Sequence, residues 1–406
     1  MDLATRMTLA LVVNAGSTSV KVSRLARDGA QWSTVARHDS LAGALSDAAG
    51  VSYVLHRVVY GGERLRPVVV DDAVMASLRA LSELAPLHQA AALDALEQAR
   101  EALPDTRHVI CFDTAFHTTI PAAARTYALP ARLRELVHVV GFHGLSHAWS
   151  ARRAAESYPA ARRVLVAHLG GGASLCAVLD GRSVATTMGF TPLDGLVMGT
   201  RSGSVDPGAL LWLSRTTGED LDAVLERESG LLGLCGTADL REVLARALVG
   251  DEAAVLAREV YLHRLVTSIG AMVAALGGLD VLVFTGGAGE HSAALRQLVT
   301  DRLGWLGVAS SAGVASSAGT EVGNGADGEH GAASVASTPA GTGQASDASR
   351  ADVRSRPDVM STAEATSRSR VHVLVVEARE DLQMVADAAD LLVGHAPTVR
   401  GSRRAG

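Results

Sequence analysis

The sequence predicts an α/β protein of two domains. Three observations lead there. Short apolar runs with the length of strands alternate with Ala/Leu-rich stretches of helical period. A strand–Gly/Ser turn–strand unit opens each half of the chain, which hints at a duplicated architecture. The length of 406 residues exceeds one small domain. Hydrophobic residues make up 48% and charged residues 20%, a globular composition that excludes a wholly disordered chain. A net charge of −6, from 37 basic and 43 acidic residues, excludes a generally basic nucleic-acid coat, so no nucleic-acid partner is expected. Lys21 is the only lysine in the chain.

The elements follow in order. Met1 to Val13 has an arginine and a short apolar run but no small-residue cleavage site, so it reads as lead-in and first strand, not a signal peptide. Leu9–Val13 and Val20–Leu25 flank the polar turn of residues 14–19 and predict a hairpin. Asp71 to Leu103 is helical, with an interruption expected at Pro86-Leu87-His88. His108–Phe112 is a buried strand ending in Asp113. Val164–Leu169 runs into Gly170-Gly171-Gly172 and resumes as a strand at Ser174–Leu179. Leu282–Thr285 leads through Gly286-Gly287-Ala288-Gly289 into a helix from about Ser292 to Leu303. From Val308 to Arg370 large apolar residues almost vanish, which predicts a disordered insertion before the core resumes at Val371–Val376. A frayed tail is expected from Arg400. Cys111, Cys176 and Cys235 make neither a CxxC pair nor a metal-ligand spacing, so a reducing, cytoplasmic setting is expected. No apolar run reaches the length of a membrane span, and no membrane partner is expected.

Several constellations could carry chemistry. Residues 14–21 place backbone N–H groups, Ser17, Ser19 and Lys21 around one turn after a strand, as a phosphate cradle does; a plain polar hairpin explains the same text. His168 to Ser174 is a second such turn, whose glycines admit a ligand close to the backbone. Residues 284–290 offer a third glycine cluster between strand and helix. Residues 284–290 do not match G-x-G-x-x-G and no P-loop motif occurs in the chain, so a Rossmann dehydrogenase and a P-loop NTPase are both unsupported. Asp113 just past a strand end suits a catalytic carboxylate or a helix N-cap. His143 and His147 lie four apart, but Gly144 weakens the helix and no HExxH glutamate is present, which speaks against zinc. Arg57 and Arg201 could each clamp a phosphoryl group or carboxylate, or form a structural salt bridge.

Together these segments resemble the acetate/propionate kinase family of the actin-like ATPase superfold, over most of residues 8–307 and again over 371–395. Asn14 to Lys21 and His168 to Ser174 resemble its two signatures. His56 to Glu63, Pro86-Leu87-His88, the Asp113 segment, Phe142 to His147, Gly189 to Gly203 and Phe284 to Glu290 follow in family order. The resemblance implies two actin-like (ribonuclease H-like) domains with the nucleotide in the cleft: residues 1–115 with a returning helix at 381–400, then 116–380, interrupted by 308–370. It implies reversible in-line transfer of the ATP γ-phosphate to acetate, giving acetyl phosphate and ADP, with Mg²⁺ or Mn²⁺. It also implies a homodimer formed through the second domain. Asn14 and Glu380 match the metal-side residues. Asp113, His143, Arg201 and Arg57 match the catalytic ones, His143 and Arg201 as stabilisers of the phosphoryl group in flight. Arg57, Val59, Leu87, Phe142 and Pro192 match the acyl site. Lys21, Ser17, Ser19, His168, Gly170, Gly171, Gly172, Asp239, Arg241, Gly287 and Gly289 match the ATP side.

An ionised carboxylate acceptor needs no strong base, so positioning and charge relief are what the reaction requires. Arg57→Ala and Arg201→Ala are each expected to lose most activity while folding normally. The chain departs from the family pattern at Gly171 (usually Asn), at Ser204 (commonly an acid), in Gln89-Ala90-Ala91 and at residues 376–381. The segment between Lys21 and His56 is also shorter than usual. These departures keep open a preference for propionate or another short acid, and a degenerate ATP-binding protein of weak activity.

Overall fold

The apolar runs become the strands of two six-stranded sheets of matching design. The computed structural model describes residues 8–15, 20–29, 31–62, 64–81, 86–308, 315–316 and 371–392, the side chains of 86–88 and 315–316 excepted. Ser17, Ser19, the Leu87 side chain, the tail from Arg400 and nearly all of the 308–370 insertion therefore lie outside the described residues. The chain divides into one unit of residues 1–317 with 370–406 and a second of 318–369, which lies wholly among those left outside.

In the first sheet, β1 (Thr8–Ala15), β2 (Val20–Asp28) and β3 (Gln31–His38) form an antiparallel meander. β4 (Val51–Val58) pairs parallel with β1, β6 (Arg107–Phe112) pairs parallel with β4, and the two-residue β5 (Val68–Val69) closes the edge. In the second sheet, β7 (Arg163–Leu169), β8 (Ala173–Leu179) and β9 (Arg182–Thr186) repeat the meander. β10 (Val281–Thr285) and β12 (His372–Val375) repeat the parallel additions, and β11 (Ala315–Ser316) takes the edge. The order β3-β2-β1-β4-β6-β5 thus maps strand for strand onto β9-β8-β7-β10-β12-β11. The duplication suggested by the two strand–turn–strand units is the plan of the fold.

Alternation along the strands sends successive side chains to opposite faces. Leu11, Val13, Val54, Val58, Ile110 and Phe112 pack against the helices Asp72–Ala80 and Pro86–Ala102. Ala10, Val12, Leu55, Val109 and Cys111 pack against Met384 and Val385 of the Glu380–Asp387 helix, which returns to the first sheet. In the second sheet, Leu165, Ala167, Leu282 and Phe284 face the long Glu252–Leu276 helix, while Val164, Val166, Val281 and Val283 face Ala151 and Ala154. The helix Gly144–Ser157 consequently serves both sheets: its first turn gives Leu145 to one core and its last turns give Ala151 and Ala154 to the other.

Three details differ from the sequence expectations. Pro86 does not sit in a break; it opens the second helix, at the position where a missing N–H is harmless, and residues 82–85 separate the two helices. Gly286–His291 is already helical, and Ser292 caps the next helix, Ala293–Asp301, through its side chain. Ala315–Ser316 pairs with Leu374–Val375 inside the segment expected to be disordered.

Candidate active site

Four side chains from four distant segments meet at the C-terminal ends of β1, β4 and β6. Arg57, next to last in β4, donates from Nη2 to Asp113 Oδ2 at 2.8 Å and from Nη1 to Asn14 Oδ1 at 3.2 Å. Its Nε lies 3.7 Å from Glu380, whose Oε2 accepts from Asn14 Nδ2 at 2.6 Å. Asp113 is buried. Its carboxylate also accepts from the backbone N–H groups of His143, at 3.0 Å, and Leu145, at 3.3 Å. Asp113 does cap a helix, but a distant one, the helix that begins at Gly144. Burial alone would raise the Asp113 pKa, yet the Arg57 charge and these hydrogen bonds hold it below the usual carboxylate range. Burial raises the Glu380 pKa, and the Arg57 charge does not offset it. Arg57 stays protonated, because Asp113 and Glu380 outweigh its burial.

Glu380 is thus a largely buried carboxylate short of positive charge, with an amide beside it. Such an oxygen donor set fits Mg²⁺ or Mn²⁺, which take one or two protein oxygens and complete their shell with phosphate and water.

His143 precedes the Gly144–Ser157 helix with φ of 57°, a left-handed conformation that stores strain and occurs at functional sites. Gly144 is required there, because a Cβ would stand 2.1 Å from the Asp113 carbonyl oxygen. His143 Nε2 is 2.9 Å and Arg201 Nη1 3.8 Å from where a Cβ on Gly172 would be, so the glycine keeps open the space in which the two groups converge. Arg201 forms no ion pair among the described residues; its Nη1 reaches only the Met198 sulphur, at 3.8 Å. Burial lowers its pKa, which marks a guanidinium in need of an anion. Burial, His168 and the two arginines hold His143 well below 6.5.

Gly170, Gly171 and Gly287 line a cavity of about 450 Å³ together with Asp239, Arg241, Met198, Leu231, Ala238, Tyr261 and His291. A Cβ on Gly171 would meet nothing within 4 Å, so the absent asparagine leaves open space rather than a repacked wall. Asp239 and Arg241 pair with each other at 2.7 Å. Two expected ATP-side residues stand behind the cavity. His168 stacks on His143 with ring centroids 4.3 Å apart and bonds Ser146. Gly289 packs towards Leu169 and Ala167. Lys21 is elsewhere: it lies opposite Asn14 on β2 and lines a separate cavity with Asn14, Arg37, Arg379 and Glu380.

Of the expected acyl residues, Val59 and Phe142 share one buried cluster with Tyr60, Val140 and Met188, while Pro192 is half-buried on the loop carrying Arg201. Gln89, one of the departures, is fully buried and clamps the Tyr60 backbone, accepting its N–H at 3.2 Å and donating to its carbonyl at 3.0 Å. Ser204 donates to Asp194 at 2.6 Å, which ties down the same loop.

Six histidines, at 56, 108, 117, 143, 147 and 168, have pKa values lowered mainly by burial. The unfolded chain binds more protons than the fold below about pH 6.5, so stability is complete above that pH and falls as the pH drops. His168, pushed down to about 4, accounts alone for ~3 kcal/mol at the acid end. The melting temperature should therefore fall steadily between about pH 6.5 and 4; a flat profile would contradict these neutral buried rings.

Among the described residues no helix is long and apolar enough to cross a membrane. The family model described as the Acetokinase family matches residues 38–327. The acetate kinase of Nostoc punctiforme is 46% identical over 267 residues, covering 64% of this chain and 66% of that protein. That of Leifsonia xyli is 50% identical over 262 residues, covering 62% and 66%. The matched segment thus spans just under two thirds of these relatives' length. Two solved structures resemble the fold along nearly the whole chain. Porphyromonas gingivalis acetate kinase has a TM-score of 0.72 at 28% identity and covers 95% of this chain and 100% of its own. A Francisella tularensis propionate kinase has a TM-score of 0.71 at 28% identity, covering 94% and 99%. The two-sheet architecture is therefore the expected actin-like α/β fold. With the family model matching well over half its length, the chain belongs to the acetokinase family.

Proposed function

We propose that the protein is an ATP-dependent acyl kinase that reversibly transfers the γ-phosphoryl group of ATP to acetate, giving acetyl phosphate and ADP. One observation carries this reading: an arginine with no ion pair among the described residues and a neutral histidine converge over Gly172, beside a glycine-lined cavity of nucleotide size. Two anions must approach in line, and such a site relieves their repulsion without a general base. Arg201 supplies a charge that forms no ion pair among the described residues, Glu226 acting on it only from beyond ion-pair distance. Arg57 supplies a charge already shared with Asp113 and Glu380, and it fixes direction more than field. Asp113 acts as a positioning residue, since its oxygens are spent on Arg57 and on the first turn of the helix that carries His143. Asn14 and Glu380 would hold the magnesium or manganese ion, which when bound neutralises phosphate charge. Gly170 to Gly172, Gly287, Asp239 and Arg241 would hold ATP, and Val59, Leu87, Phe142 and Pro192 the acetate methyl.

The duplicated sheets support a division into residues 1–115 with 381–400 and residues 116–380. The helix Pro207–Thr216 buries none of its residues and leaves Leu211 60% and Trp212 58% exposed, which supports a homodimer through the second half. Sedimentation at twice the chain mass is expected, and a strictly monomeric species would count against it. The same reading carries a cytoplasmic location.

Comparing kcat/KM for acetate, propionate and butyrate tests the substrate. Acetate should lead, although one methylene is worth only ~1–3 kcal/mol in such a pocket. A clear butyrate preference would overturn the assignment.

A further inference from the structure

Beside the site lies a hydrogen-bonded chain that the transfer chemistry above does not use. Ser174, on β8, is fully buried. Its Oγ lies 2.9 Å from His143 Nδ1 and 2.8 Å from His147 Nε2. His147 is also fully buried, and its other ring nitrogen, Nδ1, has no hydrogen-bond partner among the described residues. We propose that His147 and Ser174 form a relay that fixes His143 as the Nε2–H tautomer, so that its proton faces the space over Gly172.

The argument is one of counting protons. A single hydroxyl between two neutral imidazoles has one hydrogen to give. If Ser174 donates to His143 Nδ1, it accepts from His147 Nε2–H; His143 then carries its proton on Nε2, and His147 is left with only a lone pair unpartnered. In the reverse order His147 Nδ1 would hold a buried proton with no acceptor, and His143 would present a lone pair to the cleft. If both rings donated to Ser174, its hydroxyl hydrogen would be stranded instead. A buried donor left unmade is the more unfavourable fault. The preferred arrangement is also the useful one, since a lone pair would repel an anionic phosphoryl group and an N–H attracts it. Both rings are held neutral, mainly by burial and then by their histidine neighbours, with Arg57 and Arg201 adding to this at His143, so the relay need not compete with imidazolium. His147 is therefore a positioning residue, and the spacing of four that invites a zinc reading serves to bring both rings to one serine.

The relay rests on the acyl-kinase reading only for its purpose, so its test has a readout independent of turnover. Long-range ¹H–¹⁵N spectra of the full chain labelled at histidine should show His143 protonated at Nε2 and bare at Nδ1. Ser174→Ala should convert that signal to a tautomer mixture and lower kcat about tenfold or more, with KM for acetate and ATP within about twofold. Ser174→Thr should restore both, and His147→Gln, which keeps a donor, should fall between. A wild-type His143 protonated at Nδ1, or a Ser174→Ala protein with unchanged tautomer and kcat, would overturn the relay. A wild-type protein that makes no acetyl phosphate would sink the acyl-kinase reading instead, and the tautomer spectrum would still decide the relay.

Discussion

Arg57→Ala is expected to abolish turnover and to destabilise the protein by about 3–5 kcal/mol. This loss of stability departs from the expectation from sequence that the variant folds normally. Arg57 is 12% exposed at its side chain, and its removal strands Asp113, 1% exposed, together with Glu380, 16% exposed. Two carboxylates would then face each other without a counter-charge, and breaking a buried pair is more harmful than never having built one. The first turn of the Gly144–Ser157 helix would loosen as well, because a protonated Asp113 would accept more weakly from the His143 and Leu145 N–H groups. Denaturant melts should show a lower midpoint with an unchanged slope. Arg57→Lys should recover part of the stability but little activity, since an ammonium cannot reach Asp113 and Asn14 at once as the guanidinium fork does. A stable but inactive Arg57→Ala protein would contradict the network drawn here.

Arg201→Ala should behave in the opposite way. Its guanidinium meets only a sulphur and forms no ion pair among the described residues, so its loss should leave the melting temperature within a degree or two. The same loss should lower kcat by about 10²–10³-fold, the usual consequence of removing one preorganised transition-state partner. A slight gain in stability is consistent with relieving an unpaired, partly buried cation. The two arginines look alike in sequence, and only their tertiary partners separate a structural-plus-chemical role from a chemical one.

That contrast shows what the amino-acid text can carry. Strand positions, the duplicated plan and the glycine turns are legible because they rest on period-2 burial and on local turn chemistry, which are written in adjacent residues. Arg57, Asp113, His143 and Arg201 stand out because their motifs are colinear with a family. Partnership is a different matter. Nothing near Asp113 announces that it caps a helix starting at Gly144, and nothing near Ser174 announces the two imidazoles it joins; both depend on how β6, β8 and that helix approach one another. Lys21 illustrates the converse. It is the only lysine in the chain, yet it opens onto a different cavity from Gly170 and Gly287, beside Asn14 and Glu380.

The central claim is phosphoryl transfer to acetate, and trapping the product tests it most directly. Full-length protein incubated with ATP, acetate and Mg²⁺, then treated with hydroxylamine, should accumulate acetyl hydroxamate, and the Arg201→Ala protein should yield under about a hundredth as much. Wild-type protein that binds ATP under the same conditions yet forms no hydroxamate would contradict the account.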